Sequence, residues 1–202
     1  MRKHFAAESE KARFETFIDA ILAIIVTILV LDFKVPEQTF ASDDEIRSFL
    51  HRLLPALFSY TISFATIVSL WINHHDLCRK IAYADIRFVL LNFLFILTLS
   101  PIPFTTALAG RNHHSSFAVM LVASNYFFMN LAFSFIWTYV TAKKIIPESV
   151  SNSKPAKRNA IISIIGGILL LISIPLAYVN TYITFSIFCI VLTLHFAKEF
   201  FY

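Results

Sequence analysis

Two short stretches place polar side chains at the ends of apolar segments, where they could interact within a membrane. The first, Arg13-x-x-x-Phe17-x-Asp19, opens one apolar segment, and the second, Trp71-Ile-Asn-His74, closes the next. A carboxylate near hydrocarbon is costly unless a partner satisfies it, and indole, amide and imidazole N–H groups are suitable donors. The sequence therefore predicts a polar network at one end of the first two helices. Its predicted members are Arg13, Phe17, Asp19, Trp71, Asn73 and His74.

The residue pattern gives little support to other chemistry. Neighbouring histidines on a helix point about 100° apart, and no third ligand has suitable spacing, so His74 and His75 do not predict a metal site. Cys78 and Cys189 have neither disulfide nor metal-ligand spacing. The apolar segments hold no Ser/His or Cys/His pair at one depth, and a glycine-rich phosphate loop is missing. We therefore expect neither an enzyme nor a bound metal or cofactor. In an alternative interpretation, Trp71 is an aromatic-belt residue and both histidines are simply interfacial.

The composition indicates that these residues lie in a membrane protein. Of 202 residues, 57% are hydrophobic and only 15% are charged, and the mean hydropathy is +0.70, which is too apolar for an ordinary soluble domain. About 20 apolar residues cross a bilayer as a helix. The sequence predicts an all-α integral membrane protein with six transmembrane helices in a single domain, residues 1–202. The predicted spans lie near 14–34, 51–73, 87–108, 117–141, 159–179 and 181–200.

Basic residues in the connections predict the orientation of these spans. The two termini and the second and fourth loops together hold 13 lysines and arginines, whereas the other side holds four. Cytoplasmic loops are the basic ones in membrane proteins, so both termini are predicted to be cytoplasmic, and the net charge of +4 requires no nucleic-acid partner. The loop Asp32–Arg52 is expected to be an acidic outer rim, which either concentrates cations or is an ordinary solvated loop.

The first span carries an aliphatic stripe that points away from Asp19. Thr27, Ile28 and Leu31 follow Ile24 at offsets of three, four and seven, so all four share one helical face. Asp19 precedes Ile24 by five residues and therefore lies roughly 140° away around the helix. One face could pack on the second span through Asp19 while the stripe meets something else. Lipid contact or helix packing is the ordinary interpretation of such a stripe.

Three sequence landmarks resemble those of the transmembrane protein 175 family of potassium channels. The first is the Arg-x-x-x-Phe-Ser-Asp signature, matched by Arg13, Phe17 and Asp19, with Ile18 in place of the serine. The second is Trp-x-x-His, matched by Trp71 and His74. The third landmark is Leu91-Asn-Phe-Leu-Phe followed by Pro101-Ile-Pro-Phe104. The resemblance covers about the first 110 residues, and the later spans agree only in number and hydrophobicity.

The resemblance implies a potassium channel in the cell membrane. It implies a homotetramer in which four copies of the first helix line a central pore, without a re-entrant carbonyl filter. Carried over by position, Ile24 is the narrow constriction, Thr27 is associated with potassium preference, and Ile28 and Leu31 form further apolar layers. The expected partners are a second copy of the chain, the lipid bilayer and permeating potassium ions. Ile18 cannot donate the serine's hydrogen bond, so the polar network should be smaller here or should use Thr16 or another group.

Two other classes of function fit parts of the same pattern. A proton-coupled secondary transporter would use Asp19 and His74 as an intramembrane proton relay. Its inverted repeats are not evident along this chain, which weakens that reading. A purely structural membrane protein would not explain why motif, stripe and orientation coincide.

Overall fold

The computed structural model describes residues 2–37 and 39–200, and every regular element over those ranges is helical. A short 3-10 helix, Leu29–Asp32, continues the first of eight α-helices. The helices are α1 Arg2–Ile28, α2 Asp43–Lys80, α3 Ile86–Leu99, α4 Ile102–Arg111, α5 Ser116–Ala142, α6 Glu148–Ser151, α7 Lys154–Leu176 and α8 Thr181–Phe200.

Five stretches of the described chain are long and apolar enough to cross a bilayer. They are Lys11–Asp32, Asp43–Lys80, Ile86–Arg111, Ser116–Ala142 and Lys154–Leu176. The sixth predicted span coincides with α8, whose apolar part, Thr181–Ala197, is shorter than the other five. The chain is thus an all-helical, multi-pass membrane protein with five clear spans, while the sixth crossing and the side of the termini stay predictions.

The second helix starts earlier than predicted, at Asp43 rather than near residue 51. Ser42 caps it, because its hydroxyl accepts a hydrogen bond from the Glu45 amide at 3.4 Å, while the Glu45 carboxylate accepts one from the Ala41 amide at 2.8 Å. Acidic residues in the first turn also favour the helix N-terminus. The predicted Asp32–Arg52 loop is therefore wrong in length, and its acidic residues Asp43 to Glu45 belong to α2.

The third predicted span is broken into two helices. α3 ends at Leu99 and α4 begins at Ile102, because Pro101 has no amide hydrogen to continue the hydrogen bonds of the helix, although Ser100 and Pro101 both keep helical backbone angles. The two helices nevertheless form one continuous apolar stretch of 26 residues.

Long apolar helices pack around α5, which contacts α3, α4, α7 and α8. α2 packs on α4 and α8, and α1 lies against α2, α3 and α4. Buried hydroxyls join this core at Ser63, which is 2.6 Å from both Thr106 Oγ1 and Tyr126 OH. Gly110 allows α4 to approach α2 closely, because a Cβ there would lie 2.9 Å from the Ala56 Cα. This packing fixes the surface on which α1 rests.

Candidate functional site on the first helix

α1 has one face that is packed within the chain. Ile18, Leu22, Ile25 and Leu29 are all buried, at the alternating spacing of four and three residues that one side of a helix requires. Ile18, at the position of the family serine, is completely buried among apolar side chains. The isoleucine at this position therefore contributes apolar packing to the core.

The predicted stripe occupies the other face and is unpacked within the single chain. Ile24 is 56% exposed, Ile28 42% and Leu31 68%, and Thr27 is exposed as well. These side chains run along α1 into the 3-10 helix that follows it. α1 thus presents an exposed face that is apolar except for the Thr27 hydroxyl.

The Thr27 hydroxyl is oriented by its own helix. It donates a hydrogen bond to the Ile24 carbonyl at 2.9 Å. Because its proton is used in this way, the lone pairs of the hydroxyl oxygen remain available on the exposed face. Thr27 can therefore offer an oxygen ligand to a cation between apolar neighbours.

Asp19 lies to the side of the stripe and binds the second helix. The Trp71 indole N–H donates to the Asp19 carboxylate at 3.0 Å, and the Trp71 ring stacks on His75 with centroids 5.5 Å apart. Of the three donors considered from the sequence, the structure gives Asp19 the indole. This hydrogen bond ties α1 to α2 and leaves the Ile24 face free.

His74 has a different partner from the one expected. Its Nε2 lies 2.7 Å from Asn92 Oδ1, and the Asn92 amide nitrogen donates to the Phe88 carbonyl at 2.8 Å. The amide oxygen is thus an acceptor, so His74 donates through Nε2. His74 is almost completely buried and ties α2 to α3 rather than to Asp19. Asn92 lies within the third landmark, yet its motif gives no sign of this pairing.

The remaining predicted members of the network do not meet at Asp19. Asn73 donates to the Ser69 carbonyl of its own helix at 2.6 Å. Phe17 contacts the Phe93 ring of α3, with centroids 5.9 Å apart, and Arg13 is exposed. Thr16, the suggested substitute for the family serine, donates to the Ala12 carbonyl at 2.9 Å. The predicted network is therefore divided: Asp19 and Trp71 bind each other, His74 and Phe17 contact α3, Asn73 binds its own backbone, and Arg13 is exposed.

Two contacts that the sequence analysis missed fasten the ends of the first span. At one end, Arg111 of α4 forms an ion pair with the Asp32 carboxylate and also donates to the Asp32 carbonyl at 3.1 Å. At the other end, Lys11 donates to the Ile81 carbonyl at 2.9 Å. Asp32 and Arg111 lie at the ends of the first and third predicted spans, on the same side of the membrane. Their opposite charges at this shared level could have predicted the ion pair.

A further polar contact holds the start of α3. The Asp85 carboxylate caps that helix by accepting from the Phe88 amide at 2.8 Å, and its other oxygen accepts from the Tyr139 hydroxyl at 2.6 Å. Partial desolvation acts to raise the pKa of Asp85, but these hydrogen bonds and the nearby Arg87 hold that pKa below its ordinary value. Over the described residues, no group of three or more His, Cys, Asp or Glu side chains could hold a metal ion.

Comparisons with known proteins place these features in one family. A sequence model of the TMEM175 family, described as the endosomal/lysosomal potassium channel TMEM175, matches residues 13–103, which include the first two landmarks and all of the third except Phe104. A potassium channel of Chamaesiphon minutus is 28% identical over 94% of this chain and 95% of its own length. The endosomal/lysosomal proton channel TMEM175 of Gallus gallus is 30% identical over 65% of this chain and 28% of its own length.

A solved structure has the same fold. The crystal structure of a lysosomal potassium-selective channel TMEM175 homolog from Chamaesiphon minutus superimposes with a TM-score of 0.80 at 24% identity. The superposition covers 94% of this chain and 98% of that one. Landmarks, sequence similarity along nearly the whole length and fold therefore agree, and each of them relates the chain to the TMEM175 proteins.

Proposed function

We propose that this protein is a potassium channel of the cell membrane in which four copies of α1 line a central pore. The observation that carries the proposal is the unpacked stripe of Ile24, Thr27, Ile28 and Leu31, which shares α1 with a fully packed opposite face. In a symmetric tetramer, such a face could surround the axis while the buried face holds the helix to its own subunit. The family and the names of its members indicate the ion.

The contacts of α1 support a role for the other polar residues in positioning. The Trp71–Asp19 hydrogen bond joins α1 to α2, and the Arg111–Asp32 ion pair joins the following 3-10 helix to α4. Asp19 and Asp32 are 13 positions apart, which is about 20 Å along a helix. Fastened near both ends, α1 would keep a fixed rotation, so that the same side chains always face the pore.

The proposed pore controls ions by dehydration. A ring of Ile24 side chains forms the narrowest point, and rings of Ile28 and Leu31 extend the apolar passage toward the outside. Aliphatic rings of this kind close a pore by expelling water, and a small widening lets water return. Potassium gives up its hydration shell more easily than sodium, so the passage favours potassium modestly. The Thr27 oxygens ease this partial dehydration between the apolar layers.

A proton-coupled transporter is the weaker proposal. Its relay would require proton exchange between Asp19 and His74, but Asp19 binds Trp71 and His74 binds Asn92. These separate hydrogen bonds occupy both groups with partners on different helices. The contacts of these residues therefore favour structural roles for them.

Ion flux from proteoliposomes separates the two proposals. We expect potassium flux that follows the membrane potential, does not saturate at high potassium and is only modestly greater than sodium flux. The control is liposomes of the same lipid without protein. Saturable uptake that requires a pH gradient would contradict the channel and support the carrier, and proton flux without potassium flux would contradict the assignment of the ion.

A further inference from the structure

A cavity lies among α2, α5, α7 and α8, away from the exposed face of α1. Its volume is about 140 Å³, close to that of an engineered cavity of about 150 Å³ that holds benzene. The walls include the apolar side chains Leu70, Phe133 and Trp137. Polar groups from all four helices complete the lining, among them Asn73, Asn130, Ser134, Asn159, Ser163 and His195. We call this cavity the side pocket.

Two consecutive glycines on α7 make room for the polar lining. A Cβ on Gly167 would lie 2.9 Å from the Asn130 amide oxygen, and one on Gly166 would lie 3.0 Å from the His195 ring. The chain has only three glycines, so this pair concentrates most of them at one site. The amide and the imidazole can therefore stand against the α7 backbone without filling the pocket.

Several polar groups of the side pocket can accept a hydrogen bond. Ser134 donates its proton to the Asn130 carbonyl at 2.9 Å, and Thr138 donates to the Ser134 carbonyl at 2.8 Å. The Thr138 oxygen keeps its lone pairs for another donor, whereas the Ser134 oxygen already lies 3.3 Å from the Ser163 hydroxyl and keeps only one. The Asn159 amide oxygen is buried and has no hydrogen-bond partner over the described chain. An unsatisfied buried acceptor is costly, so a donor in the pocket would be stabilised.

The lining residues and the position of the opening indicate which class of ligand the side pocket can bind. Except for His195, no titratable side chain belongs to the described lining, so nothing there would compensate a charged ligand. Thr138 and Ile164 line the pocket and are exposed at the side of the bundle. The opening is thus between α5 and α7, where the apolar surface of the chain faces its surroundings.

We propose that the side pocket binds a small, uncharged amphiphile, about the size of one aromatic ring, that donates a hydrogen bond through a hydroxyl group. The ring would contact the apolar walls, including Trp137, and its hydroxyl would satisfy the Asn159 oxygen. Such molecules partition into membranes and can reach a lateral opening without crossing water. This inference is independent of the ion that the channel conducts.

Tryptophan fluorescence in lipid nanodiscs tests the proposal. Trp137 lines the side pocket, and the other tryptophan of the chain, Trp71, does not. 4-Bromophenol, whose bromine quenches tryptophan on contact, is the probe, and bromobenzene is the matched probe without a donor. Ala160→Phe fills the pocket from α7, and Ile161→Phe is the control, because Ile161 is the next residue and is 57% exposed.

We expect saturable quenching by 4-bromophenol in the native chain and in Ile161→Phe, and its loss in Ala160→Phe. Asn159→Leu, which removes the acceptor at similar volume, should weaken 4-bromophenol about fivefold, as the loss of one hydrogen bond would, without weakening bromobenzene. Quenching that rises linearly with probe and is equal in all variants would overturn the proposal, since it would report partition into lipid and a pocket that holds only water. Equal weakening of both probes by Asn159→Leu would overturn the hydrogen bond. Ala160→Phe adds volume whereas Asn159→Leu preserves it, so folding failure in one leaves the other decisive.

Discussion

Single residues near the first helix act through the backbone and neighbouring helices more than through one another. The Thr27 hydroxyl donates to the Ile24 carbonyl, the Asn73 amide donates to the Ser69 carbonyl, and the His74 ring donates to the Asn92 amide oxygen. In a low-dielectric surrounding, each of these groups must be satisfied where it stands. The sequence shows which residue types need partners, but several partners of equal chemical suitability were available to each of them.

The Asp19–Trp71 pair should stabilise the fold without selecting ions. Trp71→Phe keeps an aromatic ring and removes only the donor, so we expect a loss on the order of 1 kcal/mol, the usual net value of one hydrogen bond. Thermal unfolding in detergent measures this loss, and potassium/sodium preference in liposomes should stay unchanged. If Trp71→Phe alters the preference while stability is native, Asp19 takes part in permeation and the positioning role is wrong.

A double-mutant cycle measures how much the Asp19–Trp71 hydrogen bond itself contributes to stability. Asp19→Ala and Trp71→Phe should each destabilise the protein, and the double variant should lose less than the two losses added together, because the contact is removed only once. Strict additivity would show that the hydrogen bond contributes nothing to stability.

The Asp85–Tyr139 contact predicts how stability depends on acidity. The pKa of Asp85 is lowered in the folded chain, so the folded state binds this proton less readily than the unfolded state does. The stabilisation is therefore present above the ordinary aspartate pKa of about 4 and is lost as pH falls through the folded value. Tyr139→Phe should lower the unfolding temperature at pH 7, and this effect should shrink as the pH falls below the ordinary aspartate pKa of about 4. A Tyr139→Phe effect that grows on acidification would have the wrong sign for this linkage.

At the scale of helices, composition predicted the existence of the elements better than their ends. The early start of α2 depends on a local cap that Ser42 and Glu45 form. These residues are polar and precede the apolar run, so hydropathy does not reveal the start. The break at Pro101 depends on the missing amide hydrogen of one residue within an otherwise apolar run. Capping and proline effects are local, so the average hydropathy of a segment does not contain them.

Glycine positions provide a test of how closely these helices pack. Gly110→Ala would place its Cβ 2.9 Å from the Ala56 backbone, whereas Gly167→Ala would meet the movable end of Asn130 at the same distance. Both changes gain up to about 1 kcal/mol of helix propensity. We expect Gly110→Ala to be the more destabilising of the two by about 1–3 kcal/mol, as overpacking usually costs. Equal unfolding temperatures for these matched variants would contradict the close α2–α4 approach.

For the whole molecule, the sequence predicted the membrane class, the family and the separation of Asp19 from the Ile24 face. Those inferences depend on hydrophobicity and helical periodicity, which act along the chain. The Asp32–Arg111 pair, the His74–Asn92 pair and the side pocket depend on which helices are neighbours. Such contacts join residues up to 79 positions apart, and six helices can be arranged in several ways with the same hydropathy pattern.

The account depends above all on Ile24 facing the pore, and potassium conductance of Ile24→Asn tests this most directly. An amide in place of the isoleucine should keep the constriction hydrated, so we expect a several-fold rise in potassium flux and a reduced preference over sodium. Ile168→Asn is the matched control, because Ile168 has nearly the same exposure, 52% against 56%, but lies on α7. Its flux and selectivity should be native. If Ile24→Asn assembles normally and leaves both conductance and selectivity unchanged, α1 does not line the pore through this face.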